Sequence, residues 1–228
     1  MSPVSDTHSQ VSPAGDIVPP MAMPKPDART RDRESTEKAI LSAAKQLLAE
    51  DGFPSFGVNA IARQAGCDKQ LIYRYFGGLE GLADAIGAEL ADQLSFELRP
   101  LANLPPPASY GALMERLALG LLDLLRANRL LQQINAWEAA APSPLAARMV
   151  AVRSQRMAKW MHETRGALTP PAGIDAPAIN AILIAAIQHL VIAGAANGVF
   201  SDLPLDSEAD WRRVRDSITA MIRALYGA

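Results

Sequence analysis

The 228-residue sequence predicts an all-α protein, a small three-helix head followed by a larger helical domain. Three observations carry that expectation. Ala and Leu, strong helix formers, are abundant in a chain that is 49% hydrophobic and only 5% aromatic. Apolar residues recur at the three-and-four spacing of a helical face in segment after segment. No stretch alternates apolar and polar residues as a half-buried strand does.

The elements follow in order. Residues 1–28 hold six prolines among Ser, Asp and Gly. They offer too little apolar surface to offset ordering entropy, so a disordered tail is expected there. Arg29, Arg31 and Arg33 close it. A first helix is expected from about Asp32 to Asp51, with Ile40, Ala43, Ala44, Leu47 and Leu48 forming its stripe. Gly52 suits a left-handed C′ position, with Phe53 folding back on the last turn. Two short helices follow, Val58 to Ala65 and Lys69 to Phe76, separated by Gly66 and N-capped at Asp68. Ile72 and Phe76 share the inner face of the second, and Gly77-Gly78 breaks the chain.

A fourth helix, marked by Leu79, Leu82, Ile86, Leu90 and Leu94, is expected to reach about Leu98. Pro100 and Pro105 to Pro107 then read as a rigid connector. Further stripes are Leu113-Leu117-Leu121-Leu124, Leu130-Leu131-Ile134-Trp137, and Met149-Val152 running on to Trp160. Pro170-Pro171 separates these from an apolar helix at Pro177 to Asn197. The last helix, Glu208 to Tyr226, begins with a capping-box-like Ser207-Glu208-Ala209-Asp210.

Charge and cysteine usage narrow the function. The net charge is −2, but residues 29–78 carry eight Lys/Arg against six Asp/Glu, while the chain from Leu79 on carries thirteen against fifteen. A weakly basic head on an acidic body permits nucleic-acid binding. The single Cys67 gives no disulfide framework and suits a reducing, cytoplasmic setting. No signal peptide is read at the N-terminus. Ala178 to Ala196 is apolar enough to raise the question of a membrane span. Asn180, Gln188 and His189 inside it, with no close Lys or Arg flank, favour a buried helix and no membrane partner. An enzyme is not expected: His162-Glu163 opens a zinc-protease-like pattern, but Gly166 stands where its second His belongs. Three scattered histidines and one cysteine make no metal set, and no cofactor motif is present.

A long helix, a short helix, a turn with Gly and a second short helix form a helix-turn-helix. The second helix must stand proud of its support to enter a major groove about 12 Å wide. The run Ala60-Ile61-Ala62-Arg63-Gln64-Ala65-Gly66-Cys67-Asp68-Lys69-Gln70-Leu71-Ile72-Tyr73-Arg74-Tyr75-Phe76 resembles the signature of the tetracycline-repressor (TetR/AcrR) family. There an IA-x-x-AG turn leads into a recognition helix ending LY-x-YF. The resemblance covers roughly residues 30–90, including the Gly52-Phe53 end of helix one and Leu79-Glu80-Gly81-Leu82.

The resemblance implies a homodimeric repressor that is released from double-stranded operator DNA by a small-molecule effector. It implies DNA-facing roles for Lys69, Gln70, Tyr73, Arg74 and Tyr75, with Asn59 added from the helix before. Gln70 suits adenine and Arg74 suits guanine, Lys69 a phosphate or guanine, and the two tyrosines phosphates and thymine methyls. Three positions depart from the family pattern. Gly57 replaces the usual Ser or Thr cap, Leu79 a frequent Lys, and Asp68 the usual Ser. All three weaken the phosphate grip, and an Arg29-Arg31-Arg33 arm is expected to compensate. Cys67, where Val is usual, is expected as a small buried hydrophobe.

On this reading residues 29–78 bind DNA, and residues 79–228 sense ligand and dimerise. Trp137, Trp160, Met161, Gln188 and His189 are the candidate pocket residues, being polar or aromatic groups set on apolar helices. Gln133 and His162 are weaker candidates. The helix at 177–197, apolar nearly all round, is expected to be buried on two sides and to pair with 208–226 as the dimer interface. Ala185, Ala186, Ala193 and Gly194 would allow close approach there. The competing reading is a ligand-independent helix-turn-helix regulator, either a constitutive repressor or an activator.

Overall fold

The computed structural model describes residues 28–103, 105–140 and 142–227; the side chains of 28–31 and the expected tail at 1–28, up to Asp27, lie outside that description. Nine α-helices, a 3-10 turn at Phe53–Ser55 and one two-stranded hairpin follow in order among the described residues. The α-helices and strands are α1 (Ala28–Asp51), α2 (Val58–Ala65), α3 (Lys69–Phe76), α4 (Leu79–Asn103), α5 (Tyr110–Ala127), α6 (Arg129–Ala140), α7 (Pro144–Arg165), α8 (Ala176–Asn197), β1 (Val199–Phe200), β2 (Leu203–Pro204) and α9 (Glu208–Tyr226).

The head is built on α1, whose Ile40, Ala44 and Leu48 are fully buried against Ile61 of α2 and Ile72 of α3. Four boundaries differ from the sequence expectation. Helix α1 begins at Ala28, so Arg29, Arg31 and Arg33 sit on helical backbone and not in an extended arm. Gly52 takes φ 73 with ψ −169, a region open to glycine but not the left-handed cap expected. Helix α4 continues through Pro100 to Asn103. Buried Leu98 and Ala102 hold that last turn onto the body, which overrides the lost N–H of the proline. The hairpin, pairing Val199 with Pro204 and Phe200 with Leu203, was not legible because it spans four paired residues, too few to show alternation.

The body turns on two helix pairs. Helices α4 and α7 run side by side in the same direction: Arg148 reaches Asp84 (2.7 Å) and Arg156 reaches Asp92 (2.8 Å), both at a separation of 64 residues. Gly87 is what permits the approach, since a Cβ there would lie 2.3 Å from the Met149 carbonyl oxygen. Helices α5 and α9 run antiparallel, tied by Arg126–Glu208, Asp123–Arg215 and Glu115–Arg223. These pairs are solvent-exposed, and screening by water leaves each a small part in stability. They fix which side of α9 faces α5, while Trp211, Val214, Ile218 and Ile222 supply the burial.

Helix α9 starts on a full capping box: the Ser207 hydroxyl accepts from the Asp210 amide while the Asp210 carboxylate accepts from the Ser207 amide. Inside the body, the Tyr110 hydroxyl accepts from Asn180 Nδ2 (2.8 Å) and the Tyr226 hydroxyl donates to Asn180 Oδ1 (2.9 Å). One amide thereby joins the ends of α5, α8 and α9.

The two-sided burial expected of helix α8 does not come from one chain alone; only 22% of its most apolar window is buried. Ile182 is 65% exposed and Ile184 45%. Ala185 and Ala186 are also exposed, whereas Ala193 and Gly194 face inward, with Gly194 against the Trp211 ring.

Replacing Gly87 with Ala is expected to force α4 and α7 apart and to cost about 1–3 kcal/mol of stability in denaturant unfolding. An unchanged midpoint would contradict the close approach described here.

Candidate nucleic-acid interface

Helix α3 is too short to persist alone; it is held by its flanks and its seat. Gly66, in the left-handed region at φ 64, ends α2, and its amide donates to the Ala62 and Arg63 carbonyls. Asp68 accepts from the Gln70 amide at 2.7 Å, so its carboxylate is engaged in capping α3. Gly77, also left-handed, ends α3 with its amide on the Tyr73 carbonyl. The seat is Ile72, fully buried, with Phe76 packed alongside. Gly81 of α4 lies so close that a Cβ there would reach 1.8 Å from the Phe76 carbonyl oxygen.

The opposite side of α3 is free. Lys69, Gln70 and Arg74 are exposed, as is Asn59 on α2, and Tyr73 is 57% exposed. Tyr75 is half-buried and differs from its neighbours. The Arg74 guanidinium is folded back on it, 4.7 Å from the ring centroid, with Nη2 donating to the hydroxyl at 2.6 Å. Arg33, reaching across from α1, lies 5.3 Å from the same ring and donates through Nε to Glu37 at 2.7 Å. Arg33 is thus brought to the recognition helix; the side chains of Arg29 and Arg31 lie outside the described residues.

Cys67 is partly buried and packs against the core, short of the fully buried hydrophobe expected. Partial burial, and secondarily the charge of Asp68, push its thiol pKa up. That disfavours the thiolate form that redox chemistry needs.

The candidate pocket residues do not converge. Trp137 lies at the junction of α6 with α1: its indole covers Gly52, with ring carbon 2.5 Å from where a Cβ would be, and Nε1 donates to the Ala49 carbonyl at 3.3 Å. Trp160 and Met161 are half-buried late in α7. Gln188 is half-buried on α8, and His189 is exposed with its ring against Phe200 at 4.8 Å. The two described grooves contain none of the five. One, of about 130 Å³, lies between α8 and α9 and is lined by Leu183, Ile187, Leu190, Val214, Ile218 and Met221, among others. The other is lined by Asp32, Arg33, Thr36, Arg74 and Tyr75.

Several features had no sequence signal because their partners are far apart in the chain. Besides Trp137 over Gly52, Lys45 of α1 binds Glu89 of α4 at 2.8 Å, a second tie between head and body, and the other Glu89 oxygen is buried without a partner. Arg153 and Glu138 form a bidentate pair that is only 13% and 9% exposed, joining α6 to α7.

Residues 40–86 match the bacterial regulatory proteins of the tetR family, a span that runs from the core of α1 through α3 and the seat in α4. Over these residues the chain is similar to the tetR family. Curated relatives include an uncharacterized HTH-type transcriptional regulator of Mycobacterium tuberculosis, 32% identical over 120 residues, covering 52% of this chain and 56% of the relative. The regulator AlkX of the same organism is 30% identical over 83 residues, 36% of this chain and 38% of that one. The chain spans about half the length of the first curated relatives it matches.

Similar folds extend over most of the chain. A putative tetR family regulator from Shewanella sp. PV-4 superposes with TM-score 0.62 at 18% identity, covering 82% of this chain and 95% of that one. FadR of Bacillus subtilis, solved in complex with stearoyl-CoA, gives 0.59 at 18% identity over 84% and 98%.

Changing Trp137 to Phe keeps the ring and removes the indole N–H, leaving the Ala49 carbonyl short of a donor. The expected cost is about 1 kcal/mol, with faster hydrogen exchange at the Gly52 amide, which donates to the Leu48 carbonyl. Unchanged stability and unchanged exchange would contradict the head–body junction.

Proposed function

We propose that the protein is a transcriptional regulator, a ligand-responsive homodimeric repressor that lets go of its operator when a small molecule binds. Residues 29–78 are assigned to DNA, and residues 79–228 to sensing and dimerisation, in a protein acting in the cytoplasm. One observation carries the DNA reading: α3 presents Lys69, Gln70 and Tyr73 to solvent while Ile72 and Phe76 fix its other side. A polar face on a rigid short helix is what major-groove reading requires. Gln70 is assigned to a base edge, Lys69 and Tyr73 to bases or phosphate, and Asn59 to the flanking backbone.

The dimer reading rests on a bare apolar face. Ile182 and Ile184 of α8 and Met221 and Leu225 of α9 are all exposed large hydrophobics in one chain. A second copy packing α8 and α9 against the same helices would cover them, and a two-fold axis would present two α3 helices to a palindromic site. The sensing role is supported by the two ties, Trp137–Ala49 and Lys45–Glu89, through which a shift in the body would reach the head. Trp160, Met161 and Gln188 remain the assigned effector-side residues. Trp137 is reassigned to the junction, and exposed His189 belongs with the hairpin.

Selection of bound fragments from a random duplex pool is expected to enrich a palindrome whose half-sites lie about one helical turn, some 34 Å, or a multiple apart. Gln70→Ala is expected to relax preference at one base pair per half-site, at about 1–3 kcal/mol. A pool that stays unenriched would overturn the regulator reading. Ile184→Glu is expected to yield a folded monomer by light scattering with loss of operator binding; an unchanged dimer would refute the assigned interface. For sensing, a thermal-shift screen that includes long-chain acyl-CoA thioesters is expected to find a compound that raises the melting temperature and releases DNA. Stabilisation without release would favour the ligand-independent reading.

A further inference from the structure

Arg74 stands on the outer side of α3, where a base-reading arginine would extend away from the helix. Its guanidinium instead lies back over Tyr75, bonded to that hydroxyl, and faces α1. Arg33 comes to the same ring from α1. Two guanidiniums thus converge on one aromatic side chain at the edge of a groove of about 440 Å³, away from the Lys69 and Gln70 end of the helix. Planar guanidiniums stack on aromatic faces while keeping their N–H groups at the edge for an anion. Arg33 has spent only Nε, on Glu37. Asp32 also lines the groove, and Thr36 has turned its hydroxyl to the Asp32 carbonyl.

Resting on the reading of α3 as the DNA-recognition helix, we propose that Arg33 and Arg74, ordered by Tyr75, form a clamp for one phosphodiester of the DNA backbone and that Arg74 therefore reads no base. The geometry accounts for the departures at Gly57 and Leu79, positions where hydroxyl and ammonium donors to phosphate are missing. The clamp supplies a positive pair from α1 and the end of α3 in their place. Specificity then falls to Gln70, Lys69 and Tyr73 at the exposed N-terminal and middle turns. Asp32, facing the same groove, and Glu37, ion-paired to Arg33, oppose the phosphate and limit affinity.

The test measures binding to the selected operator and to base-substituted operators across a salt series, using the full chain. Arg74→Ala and Arg33→Ala are each expected to weaken every sequence by the same factor, to shallow the slope of log K against log salt by about one, and to leave the selected motif unchanged. Asp32→Asn is expected to tighten binding to all sequences alike. All three residues are exposed, so the variants keep the wild-type melting temperature.

Loss of preference at any one base pair in Arg74→Ala would overturn the proposal, as would an unchanged slope. If the wild type enriches no motif, the regulator reading fails by itself. The clamp is then scored on arbitrary duplex, where the same loss of slope supports it and an unchanged slope overturns it.

Discussion

An eight-residue helix in water unravels, because nucleation fixes several residues for each hydrogen bond gained. Everything assigned to α3 depends on the burial that prevents this. Ile72 reaches full burial among Ile40, Ala44, Leu48 and Ile61, a contribution of roughly 1.5–3 kcal/mol by transfer from water. Glycines at both ends let the chain turn without strain: Gly66 and Gly77 occupy left-handed conformations, and Gly81 admits the Phe76 carbonyl. Asp68 closes the N-terminal turn. With one side locked in this way, the side chains of the other are placed by the scaffold and not by the DNA.

That rigidity matters only if the body can move the head. Specific side-chain ties run alongside the packing of α6 on α1 and of α4 on α3. Trp137 fills the space above Gly52, a glycine required twice over, by its positive φ and by the indole. Lys45–Glu89 crosses from α1 to α4, and α4 in turn runs against α7 along its length. The same α4 carries Gly81 under the Phe76 carbonyl, so head and body share one apolar core.

The head was largely legible in the sequence because its signals are local. Apolar spacing, a Gly between short helices, an acidic cap and two closing glycines all fall within a window of twenty residues. The body was legible as helices but not as an assembly. Arg74 illustrates the difference: its residue type and position suggest a base contact, and only the fold brings Arg33 to the Tyr75 ring beside it. Trp137 looked like a pocket residue because an aromatic on an apolar stripe has no other local meaning; its partner, Ala49, lies 88 residues away. Pro100 suggests a connector in the sequence, since the burial of Leu98 and Ala102 that carries α4 past it is a tertiary effect.

Native-state hydrogen exchange across α3 tests the central claim most directly. If the helix is a rigid probe, the hydrogen-bonded amides from Tyr73 to Gly77 exchange as slowly as those around Leu48 in α1, in the absence of DNA. Exchange at these amides approaching that of an unfolded chain would contradict it.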